Sequence, residues 1–422
     1  MRIAILLPEL VAEGGGDRQA VYLARELQEM GHDVTVFTPA FDQRCYPAVC
    51  SQLRIVVTGR HALARLPLVP GRLRAFLDML QLARSIREPL EVINPHHWPP
   101  HWAAVWAARV MSPAPAVVWM CNDPPWPPLA PVAEWRRLLW PARLLSRLLF
   151  FRLDRHLVRR ISRTVVLSDY AKRLIDASFG IDCAVVRSGV DGAALAEEDP
   201  SAVGALRRRY SIPEDAFLLL SLGILMPHRR LEDAIQGVAR AVATGHDIRF
   251  LIAGTPEQHP DYAESLRRLV TPMGLDGRVT FAGAVPENEL KLYYHACDAF
   301  VFPNENQTWA LAVSEAMACG RPVVVSTGAA ITEALTDHQT ALFVPPRDPE
   351  AIAAAIIRLV EDPALARAIG ERGRRYVNEA MSWRRYARSM LAVFQESLAE
   401  EEAAESPLVS VGASKALQGQ GR

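Results

Sequence analysis

The chain has 422 residues, enough for two or three domains with ample core, and 50% of them are hydrophobic. Its 47 Lys+Arg balance 47 Asp+Glu, so the composition excludes an overall polyanion binder and no nucleic-acid partner is expected. The charge is uneven: residues 51–163 hold 17 Lys+Arg against 6 Asp+Glu, and nearly all the basic residues are Arg, since only Lys172, Lys291 and Lys415 are lysines. Cys45, Cys50, Cys121, Cys183, Cys297 and Cys319 are scattered without metal-ligand spacing, the pattern of a reducing compartment without a disulfide framework. The N-terminus opens on a strand-like run at residues 3–7 and lacks the layout of a signal peptide. No stretch reaches the ~20 uninterrupted apolar residues of a membrane span. The nearest, residues 102–120, carries Arg109, Pro113 and Pro115. A cytoplasmic location is expected.

Apolar runs alternate with amphipathic helical patterns throughout. In the first half strands are expected at residues 3–7, 34–37, 55–57, 92–93, 116–120, 164–167 and 184–186. In the second half they are expected at 217–222, 248–253, 279–282, 299–302, 323–326 and 341–344. Helical patterns lie between most of them, for example at 19–30, 231–243 and 349–361. Such alternation implies parallel sheets with right-handed crossovers. Two series, parted by a polar stretch near 191–215, imply an α/β protein of two doubly wound, Rossmann-like domains facing a cleft, with ligands at the carboxyl ends of the strands. The expected division is 1–195, 196–380, a crossover helix at 381–400 and a disordered tail at 401–422, rich in Glu, Ser, Gly and Gln.

The densest signal is the stretch from Val301 to Ser326. It reads as strand, polar loop, Ala-rich helix, Gly320 stop and a second strand. Glu315 stands in the middle of the otherwise apolar helix, where an unpaired carboxylate is costly to bury. The loop before that helix presents free N–H groups and the positive end of a helix dipole, which suits a phosphate. A phosphate ligand carrying hydroxyls would satisfy both features.

Four further motifs follow strand ends. Glu13-Gly14-Gly15-Gly16-Asp17-Arg18 allows close backbone approach to a phosphate or sugar, although it lacks the G-x-G-x-x-G spacing and also fits a permissive turn. Asn94-Pro95-His96-His97-Trp98 offers two histidines for hydrogen bonding or proton movement, although taken alone a packed or solvated pair is the commoner case. Cys121-Asn122-Asp123 precedes a Pro/Trp-rich run and then residues 136–163, with nine arginines, many leucines and Asp154 as the single acid. That segment fits an anionic membrane surface or an ordinary surface helix. Gly223 to Arg230 ends in paired arginines that suit a diphosphate or a solvated charge pair.

Taken in order, these residues resemble the retaining nucleotide-sugar transferases of glycosyltransferase family 4, with the GT-B fold. The resemblance covers nearly the whole chain. It includes the opening strand and glycine loop, Gly189-Val190-Asp191, the run from Ser314 to Val324, and Trp383 in a final helix that crosses back to the first domain. By that resemblance, Glu315 is the second acid of the family's paired-glutamate motif and holds the donor's ribose hydroxyls. The first acid's position is Gln307. Thr308, Trp309, Ala310 and Leu311 face the donor sugar and phosphates, with Glu305 close by. Gly223 and Arg229 belong to the diphosphate loop, where Arg229 matches a lysine; Ile224 replaces the usual arginine, and Arg230 is the expected compensation. Gly15 and Gly16 match the loop that closes on the phosphates, His96 the histidine that reaches the donor sugar, and Glu333 the acid of a further donor-site loop. Asp17, His97, Asn122 and Asp123 are the acceptor-side candidates.

The resemblance implies transfer of a hexose from an NDP-sugar, of GDP-mannose or UDP-hexose type, with retention and without metal or other cofactor. Arg229, Arg230 and the glycine loop would stabilise the leaving diphosphate, and domain closure would exclude water. Gln307 keeps an acceptor oxygen but removes the charge. Hydrogen bonds to charged groups contribute about 1.5–3 kcal/mol against about 0.5–1.5 for neutral ones, so the change weakens one sugar contact without ending catalysis. The expected acceptor is a hydroxyl on a glycan, a glycolipid or another lipid-linked molecule, with peripheral attachment to the inner membrane face, and a soluble small-molecule acceptor stays open. A non-catalytic GT-B scaffold subunit and a nucleotide-sugar epimerase are the alternatives, since fold does not fix function.

Overall fold

The computed structural model describes residues 1–65, 69, 71–122 and 140–417. They fall into two compact units, Met1–Arg187 with Tyr386–Arg422, and Ser188–Arg385. Each is a parallel sheet whose strands alternate with helices.

All the expected strands are present. The first unit holds β1 (Arg2–Leu6), β2 (Asp33–Thr38), β3 (Arg54–Val57), β4 (Val92–Pro95), β5 (Ala116–Met120), β6 (Arg163–Val166) and β7 (Cys183–Val185). The second holds β8 (Phe217–Leu222), β9 (Ile248–Ala253), β10 (Val279–Gly283), β11 (Ala299–Phe302), β12 (Val323–Ser326) and β13 (Leu342–Val344). The sheet orders are β3-β2-β1-β4-β5-β6-β7 and β10-β9-β8-β11-β12-β13. Helices cover sheets of this kind on both faces, so central strands read as unbroken apolar runs rather than alternating ones. β5 and β11 are buried at every residue.

Each unit has its own core. Leu6, Phe37, Ile93, Trp102 and Val117 pack together in the first. Leu219, Ile235, Phe250, Val301, Val324 and Ile356 do so in the second. Burial of each such side chain contributes about 1.5–3 kcal/mol. Local signals end the helices. Ser168 caps Asp169–Phe179 by accepting from Ala171 N, and Gly180 closes it in the left-handed conformation. Asp348 caps Pro349–Glu361 in the same way, with proline at the first helical position.

Two boundaries differ from the sequence expectation. The second unit begins at Ser188 rather than near 196, because Val190 N donates to Met381 O at 2.7 Å and pairs with Ser382, tying this segment to the end of the same unit. The last helix spans Trp383–Leu417, past the end at about Glu401 and into the tail expected to be disordered. The Ala and Glu residues from Ala399 to Glu405 are strong helix formers, so the backbone there follows propensity. Among the described residues no helix is long and apolar enough to cross a membrane.

Candidate active site

In a doubly wound sheet the strand order reverses at one point, and the loops on either side diverge there to leave a crevice. The reversal lies between β1 and β4 in the first sheet and between β8 and β11 in the second. The glycine loop follows β1 and the His96-His97 segment follows β4. The Gly223–Arg230 loop follows β8 and the Asn304–Ala310 loop follows β11. All four motifs therefore flank the switch points of their own sheets.

In the second unit the paired arginines part company. Arg229 ends a single 3-10 turn, Pro227–Arg229. Its guanidinium lies across Gly223, where a Cβ would stand 2.8 Å from Nη1, and 5.7 Å above the Phe302 ring. Gly223 also has φ +141, a conformation that side chains disfavour, so both backbone and space call for glycine. Arg229 keeps part of its surface open, yet it is so closely surrounded that burial lowers its guanidinium to about 10; Tyr262 and Tyr294 stand nearby. It remains a cation at neutral pH. Its Nε has no hydrogen-bond partner among the described residues, and no carboxylate pairs with it there. Arg230 is committed elsewhere: Nε and Nη2 fork onto Asp233 at 2.8 and 2.9 Å, and Nη1 meets Glu232 at 2.7 Å. The compensating role expected of Arg230 thus runs against its local geometry, since Asp233 at i+3 already occupies its fork and Glu232 its remaining nitrogen.

Glu315 is 6% exposed on the helix Leu311–Ala318. The polar partner its burial requires is Tyr294, whose hydroxyl donates to Oε2 at 2.7 Å. Tyr294 lies on Leu290–Ala296 and was not among the sequence candidates. At the start of the Glu315 helix, Ala310 occupies the cap position and supplies no side-chain hydrogen bond, so the first turn's N–H groups are not capped by it. The Trp309 indole is 4% exposed and its Nε1 has no partner among the described residues. Thr308 sits between Gln307 and this indole, partly buried.

The preceding loop is held by its backbone. Gln307 pairs with Ala329, and its carbonyl accepts from Ala330 N at 2.9 Å. That contact joins it to the 3-10 turn Ala330–Ala334, on which Glu333 is exposed. Gln307 Oε1 accepts from Asn304 Nδ2 at 3.3 Å, leaving its amide nitrogen as the donor face. Glu305 N donates to His228 O at 2.9 Å, which links the β11 loop to the β8 loop. The Glu305 carboxylate does not swing toward Gln307; Arg347 forks onto it at 2.7 and 2.8 Å and holds it below the usual carboxylate range.

In the first unit, the helix Gly15–Glu29 starts from Gly14 with no side-chain cap. Tyr46 holds the cap residue itself: its hydroxyl accepts from Gly14 N at 2.6 Å and donates to Gly14 O at 2.8 Å. A Cβ on Gly16 would overlap the His97 imidazole and stand 3.1 Å from Asn122 Nδ2. Gly16 thus brings the backbone against the acceptor-side candidates, with Gly15 beside it at the start of the helix. His97 Nε2 lies 3.5 Å from Asp17 Oδ1. Its backbone is fixed at both ends, N to Met120 O at 3.1 Å and O from Trp119 Nε1 at 2.8 Å. Gly16, Asp17, His97 and Asn122 therefore meet; Asp123 lies outside the described residues. His96 is fully buried and points its Nε2 to Asn94 Oδ1 at 2.9 Å. Burial, reinforced by His97, keeps its imidazole well below the ordinary value and so neutral.

The acid of the Arg-rich segment is also buried. Asp154, on the helix Trp140–Val158, is 4% exposed. It accepts from Trp98 Nε1 at 3.0 Å, from Trp102 Nε1, and from His101 Nε2 at 3.1 Å. Arg152, Arg155, Arg159 and Arg160 are exposed, as are Leu148 and Leu149.

Comparison with known proteins agrees with the fold. Residues 13–193 match the model "Glycosyltransferase Family 4" and residues 203–376 the model "Glycosyl transferases group 1". D-inositol 3-phosphate glycosyltransferase of Acidothermus cellulolyticus is 28% identical over 423 residues, covering 93% of this chain and 87% of its own. Among solved structures, Anabaena HepE in complex with UDP and glucose superposes with a TM-score of 0.75 at 16% identity, covering 94% of this chain and 99% of that one. Sucrose-phosphate synthase of Thermosynechococcus elongatus does so with 0.73 at 22% identity, covering 94% and 99%.

Proposed function

We propose, from the premise that the chain is a GT-B glycosyltransferase of group 1 with a family 4-like amino-terminal domain, that it transfers a hexose from a nucleotide diphosphate sugar to a hydroxyl acceptor, with retention and without a metal. The observation that carries the donor class is Arg229. A closely surrounded cation without an acid partner is costly unless an anion joins it. It stands at a switch point whose other loop leads into a helix start, and a diphosphate supplies the missing charge. Glu315, steadied by Tyr294, takes the ribose hydroxyls.

In the reaction the bond from the anomeric carbon to the diphosphate oxygen breaks as the bond to the acceptor oxygen forms on the same face. The acceptor's proton goes to the departing diphosphate. Arg229 stabilises the charge that develops there. UDP-hexose is the first donor to test, because the HepE complexes are named for UDP and UDP-glucose; the GDP-mannose type is the second.

For the acceptor, the exposed Leu148 and Leu149 beside four exposed arginines support an anionic membrane surface and a lipid-linked glycan. The names of the curated relatives support a second reading, a small phosphorylated cyclitol. Titration calorimetry with UDP-, GDP- and ADP-sugars, followed by transfer to both acceptor classes, tests the proposal. Arg229→Ala and Glu315→Ala are expected to lose donor binding and transfer; unchanged turnover in either overturns the assignment. Absence of binding to anionic vesicles at low salt removes the membrane part alone.

A further inference from the structure

The loop after β1 carries consecutive glycines, Gly14-Gly15-Gly16, and glycine loses more backbone freedom on ordering than any other residue. Something must hold such a run in place. The segment after β2 does so at two points. Leu10 pairs with Phe41: its N donates to Ala40 O at 2.9 Å and its O accepts from Asp42 N at 2.8 Å. Further along, Tyr46 grips Glu13 and Gly14. Its hydroxyl accepts from Gly14 N at 2.6 Å and donates to Gly14 O at 2.8 Å, and its own N donates to Glu13 Oε1 at 3.0 Å. Tyr46 is 3% exposed and left-handed, with φ 44 and ψ 52. A bulky aromatic residue keeps that conformation only where its surroundings over-determine it. The strain therefore falls on the residue that holds the loop. Just past the gripped glycine, a Cβ on Gly16 would overlap the His97 imidazole, and Asp17 Oδ1 lies 3.5 Å from His97 Nε2. With no side chain capping it, the helix Gly15–Glu29 takes its starting point from Gly14.

We propose that Tyr46, aided by Glu13, is a positioning residue: it latches Gly14 to the segment after β2 and so fixes where Gly16 and Asp17 meet His97 and Asn122. This rests on the hexosyl-transfer reading above and on the acceptor lying beside that group. The Tyr46 hydroxyl bonds to backbone and not to a reactant, so its part is orientation. A phenol suits the task because one O–H both accepts and donates, and thus serves the N–H and the C=O of a single residue. Phenylalanine would keep the ring but leave both Gly14 groups without that partner. A loosened loop lets Gly16 and Asp17 drift from the His97 ring, and a misplacement of about 1 Å can cost about a hundredfold in rate. Glu13 is exposed, so water competes for its carboxylate and its bond is the weaker part of the latch.

Hydrogen exchange read by mass spectrometry on the full chain tests the latch. In the wild type the peptide carrying Gly14 is expected to be protected; exchange at the rate of a free peptide overturns the latch without any variant needing to fold. In Tyr46→Phe that peptide should exchange about tenfold faster, while β1 and β4 keep their protection. Unchanged exchange in the variant overturns the latch as well. Steady-state kinetics then test its purpose. Tyr46→Phe is expected to lower kcat/KM for the acceptor about tenfold or more, with nucleotide affinity by calorimetry within about twofold of the wild type. Glu13→Ala should show the same split to a smaller degree, and Glu13→Gln, which keeps an acceptor oxygen, should recover most of that loss. Combining Tyr46→Phe with Glu13→Ala should cost less than the product of the two single losses, because both cut one latch. Faster exchange with unchanged acceptor kinetics overturns the positioning role and leaves Tyr46 a structural residue. Nucleotide affinity that falls in step with kcat/KM overturns the acceptor-side placement. A wild type that transfers from no nucleotide sugar removes the transfer reading and the positioning role with it, while the exchange result still decides the latch.

Discussion

The Tyr294 hydroxyl donates to Glu315 Oε2 at 2.7 Å, within a packing layer where Tyr294 is 0% and Glu315 6% exposed. A buried carboxylate depends on such donors, and removing one leaves part of its desolvation uncompensated. Tyr294→Phe is therefore expected to lose about 1–3 kcal/mol of stability, read by urea denaturation. It should also weaken nucleotide-sugar binding, because Glu315 loses its fixed orientation. A variant as stable as the wild type, binding donor equally well, would show that Tyr294 does not steady the acid.

Arg229 makes the opposite prediction. Its charge has no acid to satisfy it among the described residues, so its removal relieves the free protein while depriving the ligand. Replacing a buried charge by an apolar side chain of similar volume is often neutral or stabilising. Arg229→Met should melt at or above the wild-type temperature and bind the nucleotide diphosphate at least tenfold more weakly, a loss of roughly 1.4 kcal/mol or more. Arg229→Lys, which keeps a charge without the planar fork, should fall between the two. A destabilised Arg229→Met with unchanged affinity would make this arginine a structural residue.

How much of this was readable in the chain follows from distance. The thirteen strands of the described residues are short apolar runs, and both sheets follow from their alternation with helices, because that signal is local. Glu315 was legible as a carboxylate in an apolar helix, a conflict visible without any partner. Its partner was not: Tyr294 is 21 positions away, in a helix whose sequence gives no sign of it. Arg347 reaches Glu305 across 42 positions and Tyr46 reaches Gly14 across 32, so the clamp on each loop arises only from the fold. Arg230 misled for a related reason. As a neighbour of Arg229 it looked equivalent, yet the backbone turn at φ 51 aims it at Asp233 three residues on.

The Arg347–Glu305 pair gives a pH dependence with a definite sign. Arg347 hydrogen bonds hold the Glu305 carboxyl below its ordinary value. A carboxyl lowered on folding contributes stability above its unfolded pKa and loses it as pH falls through the folded one. The stability difference between wild type and Arg347→Ala should thus be present at neutral pH and vanish on acidification through that lowered range. Arg347 is 64% exposed, so the difference at neutral pH should be small and shrink with added salt. Thermal unfolding from pH 7 down to pH 3, at low and high salt, checks it; a difference that grows toward acid would contradict the assignment. With Glu305 released, a change in donor preference would also show that its clamp matters to sugar choice.

Asp154 ties the segment after β4 to the Arg-rich helix. Its carboxylate accepts from Trp98, His101 and Trp102, all within the few residues that follow His96 and His97. Asp154→Ala leaves those ring N–H groups in a buried site without their acceptor, each at about 1–3 kcal/mol. The expected loss is about 3 kcal/mol or more, since three donors share the one acid and the site is closed to water. His101 also stacks on Trp119 at 4.4 Å, so the disturbance should reach β5 and appear as a change in near-ultraviolet circular dichroism and tryptophan emission. Because the second unit has its own core and carries Arg229, nucleotide binding should persist under conditions where Asp154→Ala is folded, while transfer falls. Stability within 0.5 kcal/mol of the wild type would mean that water replaces the carboxylate, a threshold typical of substitutions away from buried networks. Loss of nucleotide binding in parallel with transfer would mean that the first unit's loop is needed for the donor to bind at all.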